Sequence, residues 1–180
     1  MLRRRLRPPR AAVDCFLRRR LERWRIDVFP RVRAARLRSL LLRLEPLAPP
    51  RVRAAVLRTA LNGWCTARRF QGTGMCFLGC GGEDSVEHYA VCPEVVEFSK
   101  KINVPYHGMD AFLLLLPTKH MSDRALARLA LRTATVYAAH CRARHSPAGP
   151  FSAAALPQVC YDLTMGHAKA ARALAEAFAA

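Results

Sequence analysis

Four residues in this chain have the types and the spacing of a metal site. Cys76, Cys80, His88 and Cys92 stand at C-x3-C-x7-H-x3-C. Three thiolates and one imidazole are a standard ligand set for structural zinc, which asks for four donors at the corners of a tetrahedron. The chemistry this implies is scaffolding. Four protein ligands leave no coordination position for a substrate water, so one structural Zn2+ is the expected cofactor.

The residues around the four must bring them to one point. Gly79, Gly81 and Gly82 surround the second cysteine, and glycine lets a backbone turn sharply through positive φ so that two thiolates face one centre. His88 and Cys92 are four apart, which places both on one face of a helical turn. Asp84 or Ser85 is placed to cap that turn, with Glu87 early in it, where the helix dipole favours an acid. A small zinc module has little core of its own, so flanking aromatics commonly supply it. Trp64 and Phe70 are the expected suppliers, with Arg68 and Arg69 between them.

The run ARRF, then C-x3-C, then EDSVEHYAVCP resembles the cysteine/histidine region that follows the reverse transcriptase domain of LINE-type (non-LTR) retrotransposons. The similarity is clearest over residues 57–98 and looser in the arginine-rich helices before it and the helix around residues 126–145. It implies metal ligands at Cys76, Cys80, His88 and Cys92, and a role in handling element RNA or target DNA. Many such elements end the motif H-x4-C, whereas this chain has H-x3-C.

Charge is the second chemical signal. The chain of 180 residues carries a formal net charge of +17, and all but four of its 30 basic residues are arginine. Such a balance points to nucleic acid, an anionic membrane surface or an acidic partner. Arginine suits bidentate contact with phosphate better than lysine does. Residues 1–45 hold 15 arginines against four acids. A helical stripe of Val13, Phe16, Leu17, Leu21 and Trp24 leaves Arg18, Arg19, Arg20 and Arg23 on the remaining surface, and a second basic helix is expected over residues 32–44. These arginines, with Arg68 and Arg69, are the candidate contacts to RNA or DNA. GC-rich coding would raise Arg, Ala, Pro and Gly without any such role. An acid-poor, arginine-rich start also fits an organelle transit peptide, although serine is nearly absent from it. By contrast, residues 76–98 carry five acids and no Lys or Arg. That stretch should repel phosphate at close range, so the zinc organises and arginines elsewhere bind.

The remaining pattern is helical. A helix over residues 52–61 turns Val52, Ala55, Val56 and Thr59 or Ala60 inward and stops at Asn62-Gly63. Ser122 caps a long helix over residues 123–144 whose stripe is Leu126, Leu129, Ala130, Thr133, Val136, Tyr137 and His140. A last helix is expected over residues 157–179, packed or loosely attached. The expected fold is mostly α, a helical domain with a central zinc knuckle. It divides into an arginine-rich segment (1–45), the knuckle with its flanking helices (46–146) and an Ala-rich C-terminal helix (147–180). The longest apolar run, residues 111–116, is too short to span a bilayer, and no secretory leader is evident. The cysteines show no disulfide-framework spacing, which suits a reducing nucleus or cytoplasm. No paired-aspartate turn, Pro-Asp nuclease motif or phosphate-cradling glycine loop is present, and no small-molecule substrate is apparent, so no enzyme activity is expected. Three readings stand: a zinc-stabilised nucleic-acid-binding module, a helical protein-interaction domain with purely structural zinc, or the translated remnant of a decayed element.

Overall fold

The computed structural model describes residues 30–105, 107–114, 121–145 and 151–179, together with Cys15, Arg19 and Glu22. Arg18, Arg20 and Arg23 lie outside the described residues, as does most of the first expected helix. Arg19 is helical and exposed.

The chain is mostly helical. Its elements in order are α1 (Pro30–Arg43), α2 (Pro50–Ala60), α3 (Val86–Tyr89), α4 (Pro93–Lys101), α5 (Gly108–Phe112), α6 (Asp123–His145), α7 (Leu156–Thr164) and α8 (Ala168–Phe178). Two single 3-10 turns, Arg68–Phe70 and Ala153–Ala155, lie between them. Among the described residues the sole β pairing is an isolated antiparallel bridge between Met75 and Glu83.

Local chemistry sets most boundaries. Prolines open α2, α4 and α7 in their first turn, where a missing N–H costs nothing. Helix α2 ends with Asn62 in the left-handed region (φ 51°) while Gly63 N–H reaches back to the Arg58 carbonyl at 2.6 Å. This is a six-to-one helix stop in which asparagine takes the left-handed place. Ser122 Oγ accepts the Ala125 amide at 3.1 Å, the cap that the sequence led one to expect for α6.

The core forms around α6. The apolar stripe read from the sequence is buried, apart from Tyr137, which is half-buried. Ala127, Arg128, Leu131, Arg132, Ala134, Thr135 and Ala139 on its other faces are buried too. The helix is therefore the central post of the molecule rather than an amphipathic surface helix. Helix α2 packs most closely along it, with Val52, Ala55, Val56, Thr59 and Ala60 all buried, and α7 and α8 close another side. The expected single C-terminal helix is two. Thr164 and Ala168 bound a corner at Gly166 (φ 76°), a conformation that glycine takes without strain. Both pieces join the common core through Leu156, Cys160, Ala173, Leu174 and Ala177. Among the described residues no helix is long and apolar enough to cross a membrane.

The candidate metal centre

The loop that carries Cys76 and Cys80 is a tight knuckle. The Cys76 amide donates to the Gly82 carbonyl at 2.7 Å, and Gly79 N–H donates back to the Cys76 carbonyl at 3.0 Å. Gly79 and Gly81 sit at φ 79° and 81°, so both turns use glycine's freedom. Gly82 is needed for another reason. A Cβ there would fall 2.1 Å from His88 Cε1, so only a bare backbone lets the imidazole approach.

The second ligand pair is positioned differently from the expectation. His88 lies in the one-turn helix α3, but Cys92 is the residue that caps α4, and the chain bends between them. Pro93 forces that bend, because it opens a new helix and cannot continue the old one. The cap of α3 is Ser85, whose Oγ accepts the His88 amide at 3.1 Å.

The four side chains nevertheless converge. Their ligating atoms all lie within 4.8 Å of one another. Cys76 Sγ is 3.9 Å from Cys92 Sγ, which is 3.5 Å from Cys80 Sγ, and Cys80 Sγ is 3.0 Å from His88 Nε2. Tetrahedral zinc with ordinary bond lengths puts two sulfurs about 3.8 Å apart and sulfur about 3.5 Å from nitrogen. The cluster can thus hold one metal ion with shifts of up to about one ångström, and its soft, nitrogen-and-sulfur donor set fits zinc. Cys76 and Cys92 are buried, while Cys80 and His88 are half-buried.

The thiols are prepared for ionisation unequally. A hydrogen bond from Cys76 pulls the Cys92 thiol well below the ordinary thiol range, against the opposing effect of burial, and the Val95 and Glu94 amides at the start of α4 add to it. The same Cys92 contact, together with burial, pushes Cys76 up. A bound cation would take the place of that shared proton.

A second cluster, which sequence reasoning did not find, ties the knuckle to α6. Asp84 Oδ2 accepts the Ala67 amide at 2.7 Å, and Asp84 Oδ1 accepts the Tyr89 hydroxyl at 2.7 Å. His140 Nε2 of α6 stands 3.2 Å from Asp84 Oδ1, near enough for charge attraction although outside hydrogen-bond angles. Burial raises the Asp84 carboxyl, but His140, Tyr89 and the Ala67 amide outweigh it and hold the group below its ordinary value. Asp84 is thus an anchor rather than a helix cap. Around it Trp64, fully buried, stacks on Tyr89 at 5.4 Å and meets Tyr137, His140 and Phe112 at 5.4, 5.2 and 6.0 Å. Trp64 Nε1 donates to Thr59 Oγ1 at 2.9 Å. Phe77, between the first two cysteines, supplies the next aromatic layer against Tyr89, His140 and Phe151.

Trp64 therefore packs against the knuckle as expected, but Phe70 does not. It is 62% exposed, at the end of the 3-10 turn that the left-handed Gln71 (φ 57°) closes. Arg68 faces the knuckle acids, with Nη1 at 3.2 Å from Glu83 and 3.9 Å from Glu87. Arg69 donates from Nη1 to the Trp64 carbonyl at 3.1 Å, and its guanidinium lies 5.7 Å from the Phe70 ring centre. No protein-family model, no curated protein and no solved structure matches the chain.

Proposed function

We propose that this chain is a zinc-stapled helical scaffold that presents arginine-rich surface to RNA or DNA. In this reading it is a module of the kind that follows the reverse transcriptase domain in LINE-type retrotransposons, without polymerase or nuclease residues. The observation that carries the zinc is the convergence of Cys76, Cys80, His88 and Cys92 within 4.8 Å. Its role is folding, because all four donors are protein groups and the aromatic core closes directly over the knuckle. The partner is argued from charge placement: residues 1–45 carry 15 arginines, whereas the knuckle stretch is acidic. Arg68 neutralises part of that acidity locally, so the phosphate contacts fall to the other arginines. A reducing compartment keeps a thiolate site intact, so this reading takes the nucleus or cytoplasm as its proposed location.

The test is metal content together with salt-dependent binding on the purified chain. About one equivalent of zinc is expected, with log K falling by roughly 0.7–0.9 per log unit of salt for every phosphate neutralised. Charge reversal at Arg18, Arg19 and Arg20 should flatten that slope for every sequence alike. Reversal at the exposed Glu97 should leave binding intact or strengthen it. Zinc without any binding to nucleic acid would favour a protein-interaction domain instead.

A further inference from the structure

Phe70 is a large apolar side chain held in water by a backbone that cannot relax away from it. Gly72 N–H closes on the Ala67 carbonyl at 2.9 Å, and Gln71 N–H closes on the Arg68 carbonyl at 3.2 Å. Asp84 grips the same turn from the knuckle side, through the Ala67 amide and through its own carbonyl to Arg68 N–H at 3.2 Å. The ring of Phe70, 62% exposed, thus stands on a turn that the knuckle holds in place.

The surroundings of Phe70 are cationic in a particular way. Arg69 and Arg144 donate to the carbonyls of two successive residues, Trp64 and Cys65. Arg58 lies over the Tyr137 ring at 5.9 Å, and that ring packs edge-on against Trp64. Two guanidiniums thus meet on the strap before Phe70, with Arg69 5.7 Å from its ring centre, and Arg58 stands one ring away, on Tyr137. Among the described residues none of the three forms an ion pair with a carboxylate. Arg68, by contrast, faces Glu83 and Glu87 and marks the edge of the acidic knuckle. Each of the three keeps donors beyond the contact that it makes within the chain, in the planar fork that suits phosphate.

We propose that Phe70 is a stacking platform for one unpaired base of single-stranded RNA or DNA, with Arg58, Arg69 and Arg144 taking the flanking phosphates. An exposed ring beside cations free of acids matches the two needs of such a strand, a π-face for the base and charge for the backbone. A duplex keeps its bases stacked inside and cannot use the ring. This inference rests on the nucleic-acid reading above, and adds to it a second contact zone whose geometry depends on the knuckle through Asp84.

The experiment uses the full zinc-loaded chain, an oligo-U strand and a blunt duplex of the same length, with binding followed by fluorescence anisotropy. Phe70→Ala should weaken single-strand binding roughly five- to a hundredfold and leave duplex binding unchanged. Phe70→Trp should retain single-strand binding, and its added indole emission should be quenched on mixing with the strand. Arg69→Gln with Arg144→Gln should lower the single-strand salt slope by about 1.4. Zinc content and thermal unfolding, unchanged in Phe70→Ala, exclude a folding defect. Equal single-strand affinity of Phe70→Ala and wild type overturns the proposal, as does a loss shared equally by strand and duplex. Wild type that binds neither probe overturns the nucleic-acid reading itself, which the wild-type titrations show before any variant is compared.

Discussion

At the scale of single residues the site depends on a few positions where no substitute fits. Gly82→Ala would drive a methyl into the His88 ring, since a Cβ would lie 2.1–2.6 Å from three of its atoms. The ring must move, and zinc affinity should fall by about ten- to a hundredfold, the range for losing a ligand's orientation. Competition with a chromogenic chelator measures it, and unchanged affinity would mean that His88 is not a ligand. Asp84→Ala should cost about 1–3 kcal/mol, because the Tyr89 hydroxyl and the Ala67 amide are left buried without their acceptor. The sign of its pH dependence follows from the lowered pKa of the folded state. The stability that Asp84 contributes is complete above the ordinary carboxyl value of 3.8 and is lost as pH falls through the lower folded one. The stability gap between wild type and Asp84→Asn should therefore be widest near neutrality and close below about pH 4. A gap that widened in acid would contradict the ionised state of Asp84.

At the scale of elements, the sequence was legible wherever periodicity and caps agreed. The α2 stripe, its stop at Asn62-Gly63 and the Ser122 cap of α6 all follow from local chemistry, and the structure contains them. The ligand set was legible because donor type and spacing are local properties. What local pattern cannot carry is long-range placement. Nothing in the spacing ties Asp84 to His140, or shows that α6 is covered on every side, and Arg128 and Arg132 read as surface until neighbouring helices bury them. Arg128 Nε donates to the Ala173 carbonyl of α8, a contact that exists only because α8 folds back. The corner that allows this falls at Gly166, inside the Ala-rich stretch that the sequence pattern joins into one helix. Gly166→Ala should destabilise the molecule by about 1–2 kcal/mol through its positive φ alone, since a Cβ there would meet nothing within 4 Å. Chemical denaturation checks it. A neutral or stabilising result would mean that α7 and α8 can straighten into the one helix that the sequence suggested.

At the scale of the whole molecule, the metal site and the helical core are coupled through stacked aromatic side chains. Trp64, Tyr89 and Phe77 stand between the ligands and α6, and the Asp84–His140 contact crosses the same boundary. Apparent zinc binding energies of about 10–16 kcal/mol in small finger peptides exceed the net stability of most domains. Removal of the metal should therefore unfold the stretch it staples rather than leave a preformed empty site. The core has a second source of cohesion in α2, α7 and α8, which pack on α6. Chelation should thus give a partly folded state: residues 63–98 become sensitive to protease while α6 survives with the helices around it. Trp64 is the natural reporter, because its fully buried indole would meet water when the knuckle opens. Its emission should shift to the red with chelator, whereas far-ultraviolet ellipticity should fall only in part. Restoring zinc should reverse both. Complete loss of ellipticity on chelation would show that the helices cannot hold without the knuckle, and the two-layer account of the fold would fail. An unchanged proteolysis pattern would show instead that the four ligands meet without needing a metal, and the zinc would lose its role in folding.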